Sequence, residues 1–250
     1  MLRDSKNFHN YKLKTAEGEI GKIKALLFDD EQWKVRYFVI STGGWLAERK
    51  VLVKPSSFKN FNSDEKVVEV DLTKDQIKNS PDIDLEKPVS RQREMELHQY
   101  YGWTPYWGPI QTHGIGVTPP APVVSENVRE DLAQASKGDS HLRNSDEVEG
   151  YSIKTNDGKI GHVEEFILDE ETYQIQYLVI DTKDFLPGKK VLVAPAWIKS
   201  IVWESSDVLV DLTEEQIKNA PEYDHEKPID REYEKKLYEH YGYKKYWENN

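Results

Sequence analysis

The chain contains two related copies of one sequence unit. Shifted by 140 residues, Leu2–Trp107 aligns with Leu142–Trp247 without a gap, and roughly 43 of about 106 positions are identical. A unit of this length is too long for a solenoid repeat and has the usual size of a domain. The sequence therefore predicts a duplication of one small fold, with domains at residues 1–107 and 142–250 joined by a linker at 108–141.

The linker has a different composition from the two copies. Its first half is rich in Gly and Pro and has no apolar periodicity, which favours extended backbone over packed structure. Its second half, residues 125–136, could form a short helix, because Ser125 can cap it and Val128, Leu132 and Ala135 share a face. A plain linker and a linker with one short helix both remain open.

The first part of each copy has the alternating pattern of β-strands. Glu-Gly at 17–18 and Asp-Gly at 157–158 indicate a hairpin turn. Gly21 and Gly161 then lie inside an apolar run, which predicts a bulge or a close backbone approach. Strand periodicity places three apolar residues of this run on one face: Ile23, Ala25 and Leu27. Five or six such short strands with tight turns predict a small, strongly bent sheet or barrel.

The second part of each copy changes to a helical pattern. Two Thr-x-x-Gln capping boxes, at 73–76 and 213–216, predict a short helix in each copy. A second helix is expected to begin at Ser90 or Asp230 and to end where a glycine, Gly102 or Gly242, can adopt the left-handed conformation. Each domain is thus expected to carry a short helical tail.

An aromatic segment ends each tail. It reads "HQYYGWTPYW" at 98–107 and "YEHYGYKKYW" at 238–247, so mainly the large rings and the glycine persist. Each aromatic ring can bury about 150–250 Å². We expect the rings to latch the tail onto the protein, with an interaction site as the alternative. The residues concerned are Tyr101, Trp103, Tyr106, Trp107, Tyr241, Tyr243, Tyr246 and Trp247.

Composition restricts the chemistry that the chain can perform. The absence of cysteine excludes disulfides, thiol nucleophiles and Cys-type zinc sites. The net charge of −11 argues against direct nucleic-acid binding, which needs clustered Lys and Arg. The negative charge is concentrated in the second copy, and the first is nearly neutral. Without a signal-like start or a membrane-spanning apolar run, we expect a soluble, cytoplasmic protein.

No motif predicts a catalytic residue, a metal site or a cofactor. The seven histidines form no metal-ligand pattern, and no serine lies in a nucleophile elbow. Two acidic turns could ligate Ca²⁺ or Mg²⁺ through oxygen, but an exposed, solvated turn is the expectation for both. Their residues are Asp29, Asp30, Glu31, Asp169, Glu170 and Glu171. We therefore predict a protein that is not an enzyme.

Several short motifs in a fixed order, present in both copies, resemble the PRC-barrel family. They are the opening L-x-x-S-x(5)-Y, the acidic-Gly hairpin followed by Ile-Gly, the acidic turn, the Y-[FL]-V-I strand, and the KVLV run with Pro55 or Pro195. The DLT-x-x-QIKN tail looks like that of free-standing bacterial members. The resemblance implies a mainly β protein with short helices, in which two small PRC-barrels in tandem each carry a helical and aromatic tail.

The resemblance also suggests functions. The first is a scaffold or adaptor without enzymatic activity, in which a pseudo-twofold pair of barrels binds a protein partner; a homodimer of such chains is compatible with it. The alternative is an accessory factor of photosynthetic or electron-transfer complexes, by analogy with the barrel of the reaction-centre H subunit. A second alternative is a ribosome- or RNA-processing-associated factor, by analogy with the maturation factor of the small ribosomal subunit.

Overall fold

The chain forms two seven-stranded sheets and a few short helices, which confirms the predicted fold class. The computed structural model describes residues 1–9, 11–43, 46, 49–62, 65–81, 83, 89–107, 141–182 and 188–248. The predicted linker helix at 125–136 lies outside these residues, as does all of the linker except His141. In the part of the chain that is described, no helix is long and apolar enough to cross a membrane.

In the described residues, the first copy forms seven strands and two α-helices. They are β1 (Leu2–Asp4), β2 (Lys12–Thr15), β3 (Gly18–Asp29), β4 (Lys34–Ser41), β5 (Lys50–Val53), β6 (Phe58–Asn62), β7 (Val67–Val70), α1 (Lys74–Lys78) and α2 (Arg91–Tyr101). The strand order is β5-β4-β3-β2-β7-β6. Because only the 3-10 turn Pro55–Ser57 separates the two outermost strands, the sheet curls round on itself as a barrel-like layer.

The second copy repeats this arrangement. Its elements are β8 (Leu142–Asn144), α3 (Ser145–Val148), β9 (Ser152–Lys154), β10 (Lys159–Asp169), β11 (Ile175–Asp181), β12 (Lys190–Val193), β13 (Ile198–Val202), β14 (Asp207–Val210), α4 (Glu214–Lys218) and α5 (Arg231–Tyr241). The order β12-β11-β10-β9-β14-β13 matches that of the first sheet strand for strand. The observed topology is therefore duplicated, as the sequence is.

The first strand of each copy pairs with the sheet of the other copy. Strand β1 runs antiparallel to β10, with Leu2 opposite Asp169, and β8 runs antiparallel to β3, with Leu142 opposite Asp29. The rings of Phe28 and Phe166 lie 5.4 Å apart, so the apolar core continues from one copy into the other. The predicted domain limits follow the sequence repeat. The strand pairing does not, because each sheet contains one strand from the other copy.

The hairpin turns after β3 and β10 also interlock. The N–H of Ile175 donates to the carbonyl of Trp33 at 2.7 Å, and the N–H of Val35 donates to the carbonyl of Tyr173 at 2.9 Å. Trp33 and Tyr173 occupy equivalent positions, and both have positive φ, 53° and 58°. That conformation is costly for an aromatic residue and persists only where its surroundings fix it. The turns are thus shaped by the contact between the copies.

Bulges change which residues of β3 share a face. The register shifts between Ile23 and Ala25, so Ile23 lies in the main core, while Ala25 and Leu27 lie in a second apolar cluster. The prediction that the three residues share a face is therefore wrong, because a bulge inserts a residue into the period-2 alternation. The close backbone approach predicted at Gly21 is confirmed: a Cβ there would lie 2.1 Å from the carbonyl oxygen of Ser41.

The helices begin and end where the sequence predicts. Both capping boxes form in full, and the side chains of Ser90 and Asp230 cap α2 and α5. Gly102 and Gly242 end these helices in the left-handed conformation. Helix α2 packs on the outer face of its own sheet, where its Leu97 joins the second apolar cluster. Each tail thus covers the barrel of its own copy.

Candidate functional site

A buried carboxylate joins the helical tail to the sheet in each copy. In the first copy, Glu94 of α2 is fully buried. Its Oε1 accepts hydrogen bonds from the phenols of Tyr37 at 2.9 Å and Tyr106 at 2.8 Å, and its Oε2 accepts from Nη1 of Arg91 at 2.6 Å. These four residues, and their equivalents in the second copy, are called here the carboxylate network. They tie strand β4, helix α2 and the aromatic segment together.

The second copy builds the same network from the same atoms. The Oε1 of Glu234 accepts from Tyr177 at 2.7 Å and from Tyr246 at 3.0 Å. Arg231 Nη1 lies 3.0 Å from Oε2 of the same carboxylate. All four residue types are identical between the copies. The network is thus part of the repeated unit and was retained in both halves.

Helical spacing and strand alternation explain how these side chains meet. Arg91 and Glu94 are three residues apart on α2, so they share a face of the helix. Tyr37 lies on β4 and points to the outer face of the sheet, which α2 covers. Tyr106 returns to Glu94 after the chain turns at Gly102. The glycine and the ring that follow the helix therefore complete the set.

The electrostatics of the network keep its phenols protonated. Burial, together with the Glu94 carboxylate, raises the pKa of Tyr37 far above its usual value, so its hydroxyl remains a donor. Burial also raises the pKa of Glu94, and Arg91 opposes that rise. Burial lowers the pKa of His98 to about 4, and its neutral ring lies with Nε2 2.7 Å from the hydroxyl of Tyr37. Two phenols thus donate to one carboxylate, and a neutral histidine contacts the first of them, Tyr37.

This arrangement closes the carboxylate of each network to solvent. Both oxygens of Glu94 are occupied by internal donors, and the side chain is closed to solvent. A general acid or base must reach its substrate within hydrogen-bonding distance or through one water. The network does not offer that access. Its chemistry is to satisfy a buried charge with strong, charge-assisted hydrogen bonds.

The eight aromatic residues of the tails pack against their own copies to different extents. The guanidinium of Arg91 lies 4.4 Å from the ring centre of Trp107, and that of Arg231 lies 4.2 Å from Trp247. Tyr101 stacks on Trp103, and Tyr243 stacks on Trp197. Tyr241 is buried, and Tyr246 is 41% exposed. Tyr106 and the other rings are partly buried.

The acidic turns are more ordered than the sequence suggests. Asp29 is only 4% exposed, so the expectation of an exposed turn is wrong for this residue. Its Oδ1 accepts from the backbone N–H groups of Glu31 and Gln32, which closes the turn. Asp169 makes the same contacts with Glu171 and Thr172.

The next position of each turn forms an ion pair with the other copy. Arg143 Nε lies 2.8 Å from Asp30 Oδ2, and Arg3 Nη2 lies 2.8 Å from Glu170 Oε2. Glu31 and Glu171 are exposed. Among the described residues, no group of three His, Asp or Glu side chains is arranged to hold a metal ion. The carboxylates of these turns thus hold the backbone and the opposite copy.

No sequence pattern described above predicts the carboxylate network. Glu94 lies on a polar helix, where a carboxylate is usually solvated. A usable signal existed, because the repeat keeps arginine and glutamate identical on a helix whose other polar positions all differ: Arg91 with Arg231, and Glu94 with Glu234. The residues of this network can be recognised because their polar members, as well as their aromatic ones, are the same residue type in both copies.

The fold and the networks define a tandem pair of small barrel repeats, each closed on its outer face by its own helical tail. The chain belongs to the PRC-barrel domain family: the sequence model of that family matches residues 14–77 and 142–217, more than half of the chain. A comparison with curated proteins gave no significant match.

Proposed function

We propose that this protein is a scaffold or adaptor without enzymatic activity, which binds a protein partner through its pair of barrel repeats. The observation that supports this most is the reciprocal strand exchange, with β1 in the second sheet and β8 in the first. Duplication of an isologous pair produces this geometry directly. It gives a partner two related surfaces at a fixed spacing.

The internal chemistry of the repeats supports the same role. The buried ionisable groups of the carboxylate networks contact each other and not a cleft. The tail rings contribute to this rigidity as a latch, since the cation–π contacts of Arg91 and Arg231 hold the ends of the tails on their barrels. A rigid surface loses little entropy when a partner binds.

The charge distribution gives the two repeats different surfaces. Both fold alike, but the second carries nearly all of the net negative charge. Related shape with different charge allows each repeat to contact a different part of a partner, since electrostatic complementarity contributes to specificity. The acidic repeat is suited to a basic protein surface.

The test is quantitative affinity purification of the tagged full-length chain from its own cells, with and without RNase, followed by binding of each recovered protein in purified form. A matched variant, Glu232→Lys with Glu239→Lys, reverses exposed charge on α5 and leaves its buried face intact. We expect a protein partner that survives RNase and binds the variant more weakly. If no recovered protein binds directly, the adaptor role is wrong.

A further inference from the structure

The interface between the two copies carries charges that differ from one copy to the other. The difference in charge is clearest at two pairs of positions that the 140-residue repeat makes equivalent: 6 with 146, and 24 with 164. The first copy has Lys6 and Lys24, and the second has Asp146 and Glu164. Both positions lie where the segment after the exchanged strand contacts the long strand of the other sheet. We call these four residues the charge set.

One contact of the charge set is formed directly. The 3-10 turn Ser5–Asn7 follows β1 and lies on β10, where Ser5 Oγ accepts from the N–H of Phe166 at 3.1 Å. In this position, Lys6 Nζ lies 3.3 Å from Glu164 Oε1. The Lys6 side chain is 44% exposed, and that of Glu164 is 21% exposed. The opposite charges meet at the partly shielded rim of the interface.

On the other side of the interface, Asp146 lies in the position of Lys6, and Lys24 lies in the position of Glu164. Helix α3 follows β8 and lies on β3, where Ser145 Oγ accepts from the N–H of Leu26 at 3.1 Å. Asp146 lies on this helix and Lys24 lies on β3, so the equivalents of Lys6 and Glu164 also carry opposite charges. Burial lowers the pKa of the half-buried His9 ring; Asp146 opposes that shift, and Lys6 and Lys24 add to it.

Pairing of two like copies would reverse this complementarity. Two first copies would place Lys6 against Lys24. Two second copies would place Asp146 against Glu164, at an interface that already holds the Glu149 and Glu165 carboxylates, whose pKa values burial raises. Like charges brought together at an interface disfavour the wrong partner and fix the right one.

Another set of ion pairs at the same interface lacks this selectivity. Arg3 pairs with Glu170, and Arg143 pairs with Asp30. Because both copies have Arg at the first position and a carboxylate at the second, these pairs would form in every combination of copies. They stabilise the interface without selecting which copies meet. The charge set, by contrast, distinguishes unlike from like copies.

We propose that Lys6, Lys24, Asp146 and Glu164 make this interface heterotypic, so that a first repeat pairs with a second repeat and like repeats do not pair. The unlike repeat comes from the same chain or from a second copy of this chain. This inference goes beyond the adaptor role and does not depend on any external partner.

The test uses the full-length chain with a protease site inserted between residues 108 and 140, cut after folding. Native mass spectrometry then identifies which halves stay together, and dilution of the cut protein gives the dissociation constant of the two halves. Four proteins are compared: wild type, Lys6→Glu, Lys6→Glu with Glu164→Lys, and the control Lys59→Glu. The control makes the same change of charge in the exposed pair with Asp71, inside the first copy.

We expect the wild-type halves to form only unlike pairs. Lys6→Glu should weaken the pairing several-fold, and Lys59→Glu should have no effect. The charge-swapped double variant should recover part of that loss, because Lys190 also lies 2.8 Å from Glu164 and would face the new lysine. Like pairs among wild-type halves would overturn the proposal. So would equal effects of Lys6→Glu and Lys59→Glu, or a double variant no better than the single one. The wild-type result decides the question even if a variant fails to fold.

Discussion

The hydroxyl oxygen of Ser5 accepts a hydrogen bond from the backbone N–H of Phe166, 161 residues further along the chain, at 3.1 Å. Ser145 makes the equivalent bond with Leu26 at 3.1 Å. All four residues are buried. Each serine follows an exchanged strand and accepts a hydrogen bond from an N–H of the opposite sheet. These two hydrogen bonds therefore stabilise the contact between the copies.

Replacement of either serine should destabilise the whole chain. In Ser5→Ala or Ser145→Ala, a buried backbone N–H loses its acceptor, which costs about 1–3 kcal/mol in the free energy of unfolding. Chemical denaturation followed by circular dichroism measures this. The control is Ser200→Ala at an exposed position of β13, which should change stability by less than about 0.5 kcal/mol. Equal effects of buried and exposed variants would mean that these bonds contribute nothing.

Gly161→Ala should be far more damaging than Gly242→Ala. Both glycines have φ near 75°, so both substitutions introduce similar backbone strain. Only at Gly161 would the new Cβ meet backbone, 2.0 Å from the carbonyl oxygen of Asp181, whereas nothing lies within 4 Å at Gly242. We expect about 1 kcal/mol at Gly242 and at least about 3 kcal/mol at Gly161. Thermal and urea unfolding of the two variants would reveal a difference, and similar losses would contradict the close approach.

Removal of the Tyr37 hydroxyl should loosen the first tail. Tyr37→Phe deprives the buried Glu94 carboxylate of one donor, at a cost of about 1.5–3 kcal/mol for a hydrogen bond to a charged group. Tyr100→Phe is the matched control, because Tyr100 is 39% exposed and its hydroxyl bonds an exposed carbonyl. Hydrogen exchange of the α2 amides should rise in Tyr37→Phe alone. Unchanged exchange would show that the network does not hold the helix.

Protonation of Glu165 should contribute stability to the folded chain in mild acid, and this contribution should be lost at neutral pH. Glu165 occupies the position of Ala25 in the first copy and is 5% exposed. Burial, followed by Asp4, raises its pKa to about 7, while Lys6 and Lys190 oppose and Glu164 adds to the rise. The folded state therefore binds more protons than the unfolded state between about pH 4.5 and 7. This contribution is present below about pH 4.5 and is lost as the pH rises through about 7.

The measurement for Glu165 is the free energy of unfolding against pH. Glu165→Gln should flatten the fall in stability between about pH 4.5 and 7 and gain about 2–3 kcal/mol at neutral pH. Glu215→Gln, at an exposed position of α4, should leave the profile of the wild type unchanged. A Glu165→Gln profile as steep as the wild-type profile would show that another group governs this range.

Local chemistry predicted the elements that depend on neighbouring residues. The capping boxes at Thr73 and Thr213 and the glycine ends at Gly102 and Gly242 all form, because each needs only a few adjacent residues. The exchange of Leu2–Asp4 into the second sheet could not be predicted this way. A three-residue strand has the same pattern whichever sheet it joins, and its place is set by contacts more than 160 residues away.

The candidate site was predicted only in part, for a related reason. The rings of the tails were recognisable, since large aromatic residues seldom remain fully solvated. Glu94 was not, because a carboxylate on a helix is normally exposed, and its burial depends on Tyr37 from a distant strand. The bulge in β3 was missed at Ile23 for another reason, because an inserted residue interrupts the alternation on which the face assignment relied.

The reciprocal exchange has a consequence for how the chain folds during synthesis. When the first repeat leaves the ribosome, its sheet lacks β8, which is translated only after the linker. The strand β1 is made first of all, yet its partner β10 appears far later. Domains usually fold one after another as they emerge, but here neither sheet can be completed until the second repeat has been translated. Until then the end of β3 that β8 will cover stays unpaired in the nascent first repeat, and an unpaired strand edge can pair with another chain.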